Sequence, residues 1–182
     1  MKKPFRPIGM RNIKTAIAIM LCVSFTKLFA FISRNAYMGT FNPIFNLIFV
    51  RSEPLYSSIA ALAAMGNTMN ESYKAALSRV LGTFIGGIFA VIHIYLAELL
   101  GSEIIFFFLL FIFIILIILI SSTFFSSDIT ATAGMIFLVI IFTLGDSEVG
   151  VYAFQRLVDT LGGVIVAITV NGIFPIKDKK IL

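Results

Sequence analysis

Tryptophan is absent from this 182-residue chain, cysteine and histidine occur once each, and charged residues make up only 13%. Each shortage excludes something. A single cysteine, Cys22, cannot close an internal disulfide and says nothing about redox compartment. The lone His93 has no second His or Cys at ligand spacing, so it reads as a helix-packing residue and no metal site is expected. No phosphate-binding loop, zinc-protease motif or nucleophile elbow occurs, so neither enzyme chemistry nor a cofactor is expected. Scarce charge excludes a soluble domain of ordinary make-up, in which about a quarter of residues are charged. The missing Trp removes the usual interfacial anchor of membrane proteins, and the 20 Phe residues do not supply its polar handle.

What is present is apolar. The chain is 59% hydrophobic with a mean hydropathy of +1.05. Such a chain cannot cover its core with polar surface in water, but in a bilayer it need not. Spanning segments satisfy their own backbone, as helices or as closed barrels. Barrel strands alternate apolar and polar residues, whereas this sequence has long unbroken apolar runs. The expected fold class is therefore an all-α integral membrane protein.

The net charge of +5 could suggest nucleic acid. The basic residues instead sit mostly at the chain ends: Lys2, Lys3, Arg6, Arg11 and Lys14, then Lys177, Lys179 and Lys180. That distribution fits cytoplasmic flanks beside anionic lipid, and nucleic acid is not an expected partner. The first residues also resemble a signal peptide, but the basic region is long and no small-x-small cleavage site follows.

About six spans are expected, near 15–33, 55–69, 75–100, 104–120, 126–144 and 151–174. Residues 37–50 are apolar but short and hold Asn42, Pro43 and Asn46, so 34–54 reads as an interfacial or re-entrant segment. The clearest span is 104–120, seventeen consecutive Ile, Leu and Phe residues, apolar on every side and therefore lipid-facing. Asp128, after Ser126 and Ser127, reads as a helix N-cap. An even number of spans puts both termini on the cytoplasmic side of a cell membrane, with Lys74 and Arg79 on that side too. The outer turns then carry Glu98, Glu103, Asp146 and Glu148; Arg34 and Arg51 run against the rule.

A shift of 77 residues aligns the third span with the sixth. Ala76, Arg79, Thr83, Gly86, Ile88 and Ala90 meet Ala153, Arg156, Thr160, Gly163, Ile165 and Ala167. Arg, Thr, Gly and Ala thus recur at relative positions 0, 4, 7 and 11, one stripe of a helix. Three spans separate the copies, so the halves would form an inverted 3+3 repeat, common in secondary transporters with substrate sites at the repeat interface. Each Arg would lie near a helix N-terminus, on opposite sides of one path. The competing reading is that the Arg side chains snorkel and the small residues only pack helices.

The run from Lys74 through Arg79, Gly82 and Thr83 to Gly86 and Gly87 resembles the K-x-G-x-x-R-x-x-G-T-x-x-G stretch of the fusaric-acid-resistance and aromatic-acid-exporter superfamily. Ile8-Gly9-Met10-Arg11 to Ala16 is similar to the start of that family, and Ala60-Ala61-Leu62 before Asn67-Thr68 is similar to its second span. Arg156-Leu-Val-Asp159-Thr160-Leu-Gly162-Gly163, ending at Asn171, looks like its closing helix. The resemblance implies a six-helix membrane domain, a homodimer, and export of aromatic carboxylates or related organic anions. Many members continue into a cytoplasmic C-terminal domain; this sequence ends at Leu182.

The expected substrate path comprises Arg79, Thr83, Arg156, Asp159, Thr160, Asn171 and Lys14, with Gly82, Gly86, Gly87, Gly162 and Gly163 as the faces that let helices approach. Arg79 and Arg156 would attract the carboxylate, with Thr83 and Thr160 supporting it. Asp159 sits at i+3 from Arg156 and can pair with it. Lys14 reads first as an interfacial anchor, and Asn171 as a group that bonds across helices. The rival function is a structural or accessory membrane subunit that assembles through its Gly and Ala faces.

Overall fold

A computed structural model describes residues 9–35, 53–144 and 148–174; the expected re-entrant stretch, apart from its first and last residues, and the basic terminal lysines fall outside them. Six α-helices make up the described chain: α1 (Met10–Asn35), α2 (Pro54–Ala64), α3 (Met69–Leu100), α4 (Glu103–Phe124), α5 (Ser127–Thr143) and α6 (Val149–Ile173). Four of them, α1, α3, α4 and α6, are long and apolar enough to cross a membrane. The protein is an all-α membrane protein.

The second expected span is shorter than its sequence suggested. At 11 residues α2 reaches ~16 Å at 1.5 Å per residue, about half of a hydrocarbon core. It stops at Ala64 because the next helix begins early. Thr68 caps α3: its hydroxyl accepts from the Glu71 amide while Glu71 reaches back to the amides of Asn67 and Thr68. This reciprocal box starts α3 at Met69, six residues before the expected 75. Gly66 lets the turn close, since a Cβ there would run into Glu71 and the Ser72 amide. At the far end Gly101, in the left-handed region with φ 60°, ends α3. The N-cap of α5 is Ser126, and Asp128 lies inside its first turn, where the helix dipole favours a carboxylate.

Packing interlocks the halves. In the first half, α1 and α2 pack on α6; one core joins Ala18, Cys22, Ala61, Ala64, Met65, Val164, Ala167 and Val170. In the second, α4 and α5 pack on α3, and their core joins Ala90, Ile94, Phe113, Ile117, Ala133, Phe137 and Ile140. Each half therefore folds its first two helices onto the third helix of the other. His93 sits in the second core, its Nε2 3.3 Å from the Phe106 carbonyl and its ring edge-on to Phe106, Phe113 and Phe137. Most of α4 presents Ile and Phe outward, including Ile104, Phe107, Phe108 and Phe111, a surface that suits lipid tails.

The chain alternates direction, so one end of the bundle collects the start of α1, the α2–α3 turn, the α4–α5 turn and the end of α6. We call this the near end. The far end holds the end of α1, the start of α2, the α3–α4 turn, the end of α5 and the start of α6.

Candidate functional site

The midpoint of the repeat is a contact between its own copies. Helices α3 and α6 run antiparallel against each other, and the Thr83 and Thr160 hydroxyls, 77 residues apart in sequence, lie 3.2 Å apart and buried. Gly86 and Gly163 flank this point in matching ways. A Cβ on Gly86 would strike the Ala133 carbonyl of α5, and one on Gly163 would strike the Ser57 carbonyl of α2. Gly82 likewise admits Thr132, while Gly87 only meets Ala153 at ordinary contact distance. Gly162 is exposed with open space where a Cβ would stand, so it packs against no other helix among the described residues. It lines a cavity of about 260 Å³ between α1 and α6, together with Ser57, Asp159, Cys22 and Phe25.

The two arginines lie one turn to either side of the shared midpoint, and their surroundings differ. Arg79, towards the near end, is half-buried and lines a polar pocket of about 290 Å³ with Ser78, Asp128, Thr132 and Ala75. Arg156, towards the far end, is 1% exposed and enclosed by rings. Its guanidinium carbon lies 3.6 Å from the centroid of Tyr56 and 4.6 Å from that of Tyr152. Such cation–π contacts contribute up to about 2 kcal/mol when desolvated. Two carboxylates stand beside it: Asp159 at 3.5 Å, one turn along α6, and Glu53 at 3.7 Å, at the start of α2. Both distances are long for hydrogen bonds, and none of the three Arg156 nitrogens has a hydrogen-bond partner among the described residues.

The rings are tied at the far end. The Tyr152 hydroxyl is 2.7 Å from Thr143 Oγ1 and 3.5 Å from the Tyr56 hydroxyl, so α5, α6 and α2 meet over Arg156. The repeat makes the asymmetry plain: Ala75 stands 77 positions before Tyr152, and Thr132 stands 76 after Tyr56. Where the far arginine has a roof of two aromatic rings, the near one has a methyl and a small hydroxyl side chain. The near arginine is half-buried beside a pocket, and the far one is fully buried.

Lys14 and Asn171 meet elsewhere. Lys14 Nζ, 1% exposed, donates to Asn171 Oδ1 at 2.9 Å. Asn171 Nδ2 in turn donates to Ser72 Oγ at 2.9 Å and to the Thr68 carbonyl at 3.2 Å, and Ser72 Oγ accepts from the Gly66 amide. This network ties α1, α6 and the α2–α3 turn at the near end. Of the expected path residues, the structure thus joins Thr83 to Thr160, Arg156 to Asp159, and Lys14 to Asn171, and sets Arg79 apart with Asp128. Nothing in sequence spacing marks Glu53, Tyr56 or Tyr152, because they reach Arg156 only once α2 lies on α6. Among the described residues no cluster of His, Cys, Asp and Glu is arranged to hold a metal.

Residues 44–170 match the family described as fusaric acid resistance protein-like. The chain belongs to that family. The match takes in both arginines and both threonines and covers well over half of the chain, in agreement with the resemblance carried by the Lys74–Gly87 run. Membership sets this fusaric acid resistance-like protein among multi-pass membrane transport and resistance proteins. No curated protein and no solved structure matches it.

Proposed function

We propose that the protein exports organic anions, aromatic carboxylates among them, across the plasma membrane as a homodimer with both termini in the cytoplasm. The observation that carries this reading is the placement of Arg79 and Arg156 on opposite sides of the central contact of an antiparallel helix pair, each one turn from the repeat-related threonines that touch there. The sequence placed each arginine near a helix N-terminus, but Arg79 lies ten residues into α3 and Arg156 seven into α6, past the first turn where the helix dipole acts. Two cations, each with a neighbouring carboxylate, still give an anion a place to stop on either side of the contact. The lengths of α2 and α5 support it further. They are the corresponding second helices of the two halves and the two shortest, 11 and 17 residues; short helices in matching positions are the usual mark of a transporter's binding region. Orientation rests on basic residues: Arg11, Lys14, Lys74 and Arg79 lie towards the near end, where the helices α1 and α6 meet their basic terminal flanks in sequence, against Lys27, Arg34 and Arg156 towards the far end.

The test is flux from proteoliposomes loaded with a panel of aromatic and aliphatic carboxylates, comparing wild type with Arg79→Ala/Arg156→Ala. Loss of flux in a variant that still inserts and elutes like wild type supports the reading. Absence of flux from well-folded wild type, with and without a pH gradient, overturns it in favour of an accessory subunit. That alternative draws on Gly134 and Gly162, which face open space and would accept a partner helix.

A further inference from the structure

We propose that Glu53 is a resident carboxylate that occupies the anion position of Arg156 beneath the Tyr56–Tyr152 roof, and that a transported carboxylate must displace it. This rests on the anion-path reading above and adds the residue that sets affinity at the far end.

Arg156 is a fully enclosed guanidinium whose donors are unfilled: Nε, Nη1 and Nη2 lack hydrogen-bond partners among the described residues. A guanidinium offers five N–H groups in a fork that matches a carboxylate edge-on, with two parallel hydrogen bonds. A buried one left with only long ion pairs keeps donor capacity that a carboxylate at closer range would fill.

Its two carboxylate neighbours are not equivalent. Asp159 is held one turn away on the same helix, with 2% of its side chain exposed, and cannot leave. Glu53 comes from the N-cap position of another helix, its side chain is 53% exposed, and it makes no capping bond to its own helix. At 3.7 Å from Nη1 it neutralises charge without closing a hydrogen bond. It is the partner that can swing away, because its own carboxylate is half in solvent and an incoming carboxylate replaces its charge beside the buried Arg156.

The rings explain why the place is kept for one kind of ligand. Tyr56 and Tyr152 both cover the guanidinium, and the carboxylate of Glu53, 3.7 Å from Nη1, holds the position an anion would take. A carboxylate attached to an aromatic ring would take that position beside Arg156 and set its own ring against Tyr56. At the near end, Arg79 shares its pocket with Asp128 but has no such roof, so the competing carboxylate and the lid coincide only at Arg156.

The experiment measures benzoate, one carboxylate on one ring, as equilibrium binding to the full chain in nanodiscs and as flux from proteoliposomes. Wild type is compared with Glu53→Gln and with Glu98→Gln, which removes an acidic charge from the same end without touching Arg156. Glu53→Gln is expected to bind benzoate about fivefold more tightly, the weight of one partly exposed ion pair, with a matching fall in the half-saturation concentration for flux, while Glu98→Gln stays within twofold of wild type. Equal affinity of Glu53→Gln and wild type overturns the proposal, as does an equal gain in Glu98→Gln, which would make the effect general surface charge. Either result leaves the transport reading standing if wild type carries benzoate. If wild type and both variants neither bind nor carry any carboxylate of the panel, the transport reading falls and this proposal with it.

Discussion

Thr83 and Thr160 hold their hydroxyls 3.2 Å apart at the crossing of α3 and α6, although 77 residues separate them. Equivalent residues of a repeat touch each other only on the axis that relates the copies. The contact therefore marks a local two-fold axis, and everything else in the bundle pairs off around it: α2 on α6 with α5 on α3, Gly163 with Gly86, Arg156 with Arg79.

A crosslink on that axis should stop any sliding of α3 along α6. With Cys22 replaced by Ser, Thr83→Cys/Thr160→Cys is expected to form an intramolecular disulfide under mild oxidation, since the two side chains already touch. Benzoate flux should drop at least roughly tenfold, to the level expected when the two helices can no longer move apart, and return on reduction. Full flux in the oxidised, crosslinked protein would show that α3 and α6 move as one body.

The glycines divide into those that admit a neighbouring backbone and those that do not. Gly163→Ala forces a methyl against the Ser57 carbonyl, and overpacking of this kind costs about 1–3 kcal/mol. For a chain of this size that is a fall in melting temperature of roughly 2–10 °C. Gly162→Ala, the adjacent position, meets open space and should melt with wild type or slightly above it, because alanine favours helix. Thermal unfolding in one detergent compares the two directly, and equal losses would mean that the close approach of α2 to Gly163 is wrong.

Much of this was legible in sequence, and the illegible part has a physical cause. The apolar runs gave the helices, and the 77-residue offset singled out the stripe that became the α3–α6 contact. The end of α2 was readable too: Thr68 followed three residues later by Glu71 is the signature of a helix start, and it sets α3 at Met69 rather than 75. Tyr56, Tyr152 and Glu53 were not readable. Their roles depend on the first half laying α2 across the last helix of the second, a long-range pairing that no local pattern encodes. Gly162 and Gly163 look alike in sequence, and only the direction each faces distinguishes them.

Lys14 should prove architectural. Its only hydrogen-bond acceptor among the described residues is the Asn171 side-chain oxygen, and that amide passes the connection to Ser72 and Thr68. Lys14→Met leaves Asn171 Oδ1 buried without a donor, a loss of about 1–3 kcal/mol. Lys14→Gln keeps a donor without the charge. Melting should therefore fall for Met and stay near wild type for Gln, with flux in Lys14→Gln within twofold of wild type. A collapse of flux in a stable Lys14→Gln protein would instead put the ammonium on the anion path.

The difference between the two ends can be transplanted. Ala75 lies at the pocket of Arg79 and occupies the repeat position that Tyr152 holds beside Arg156. Ala75→Tyr places a ring within reach of the Arg79 guanidinium, where a half-desolvated cation–π contact of about 0.5–1 kcal/mol would compete with an incoming anion. Benzoate flux should then fall roughly two- to fivefold with the loss in half-saturation concentration rather than in maximal rate. Ala75→Leu fills the same space without a ring quadrupole and serves as the control. If leucine and tyrosine raise the half-saturation concentration equally, volume alone closes the pocket, and the tyrosine roof at the far end would owe its effect to shape rather than to its hold on the arginine. If tyrosine acts and leucine does not, the two ends of this bundle differ by the aromatic faces offered to an otherwise equivalent cation.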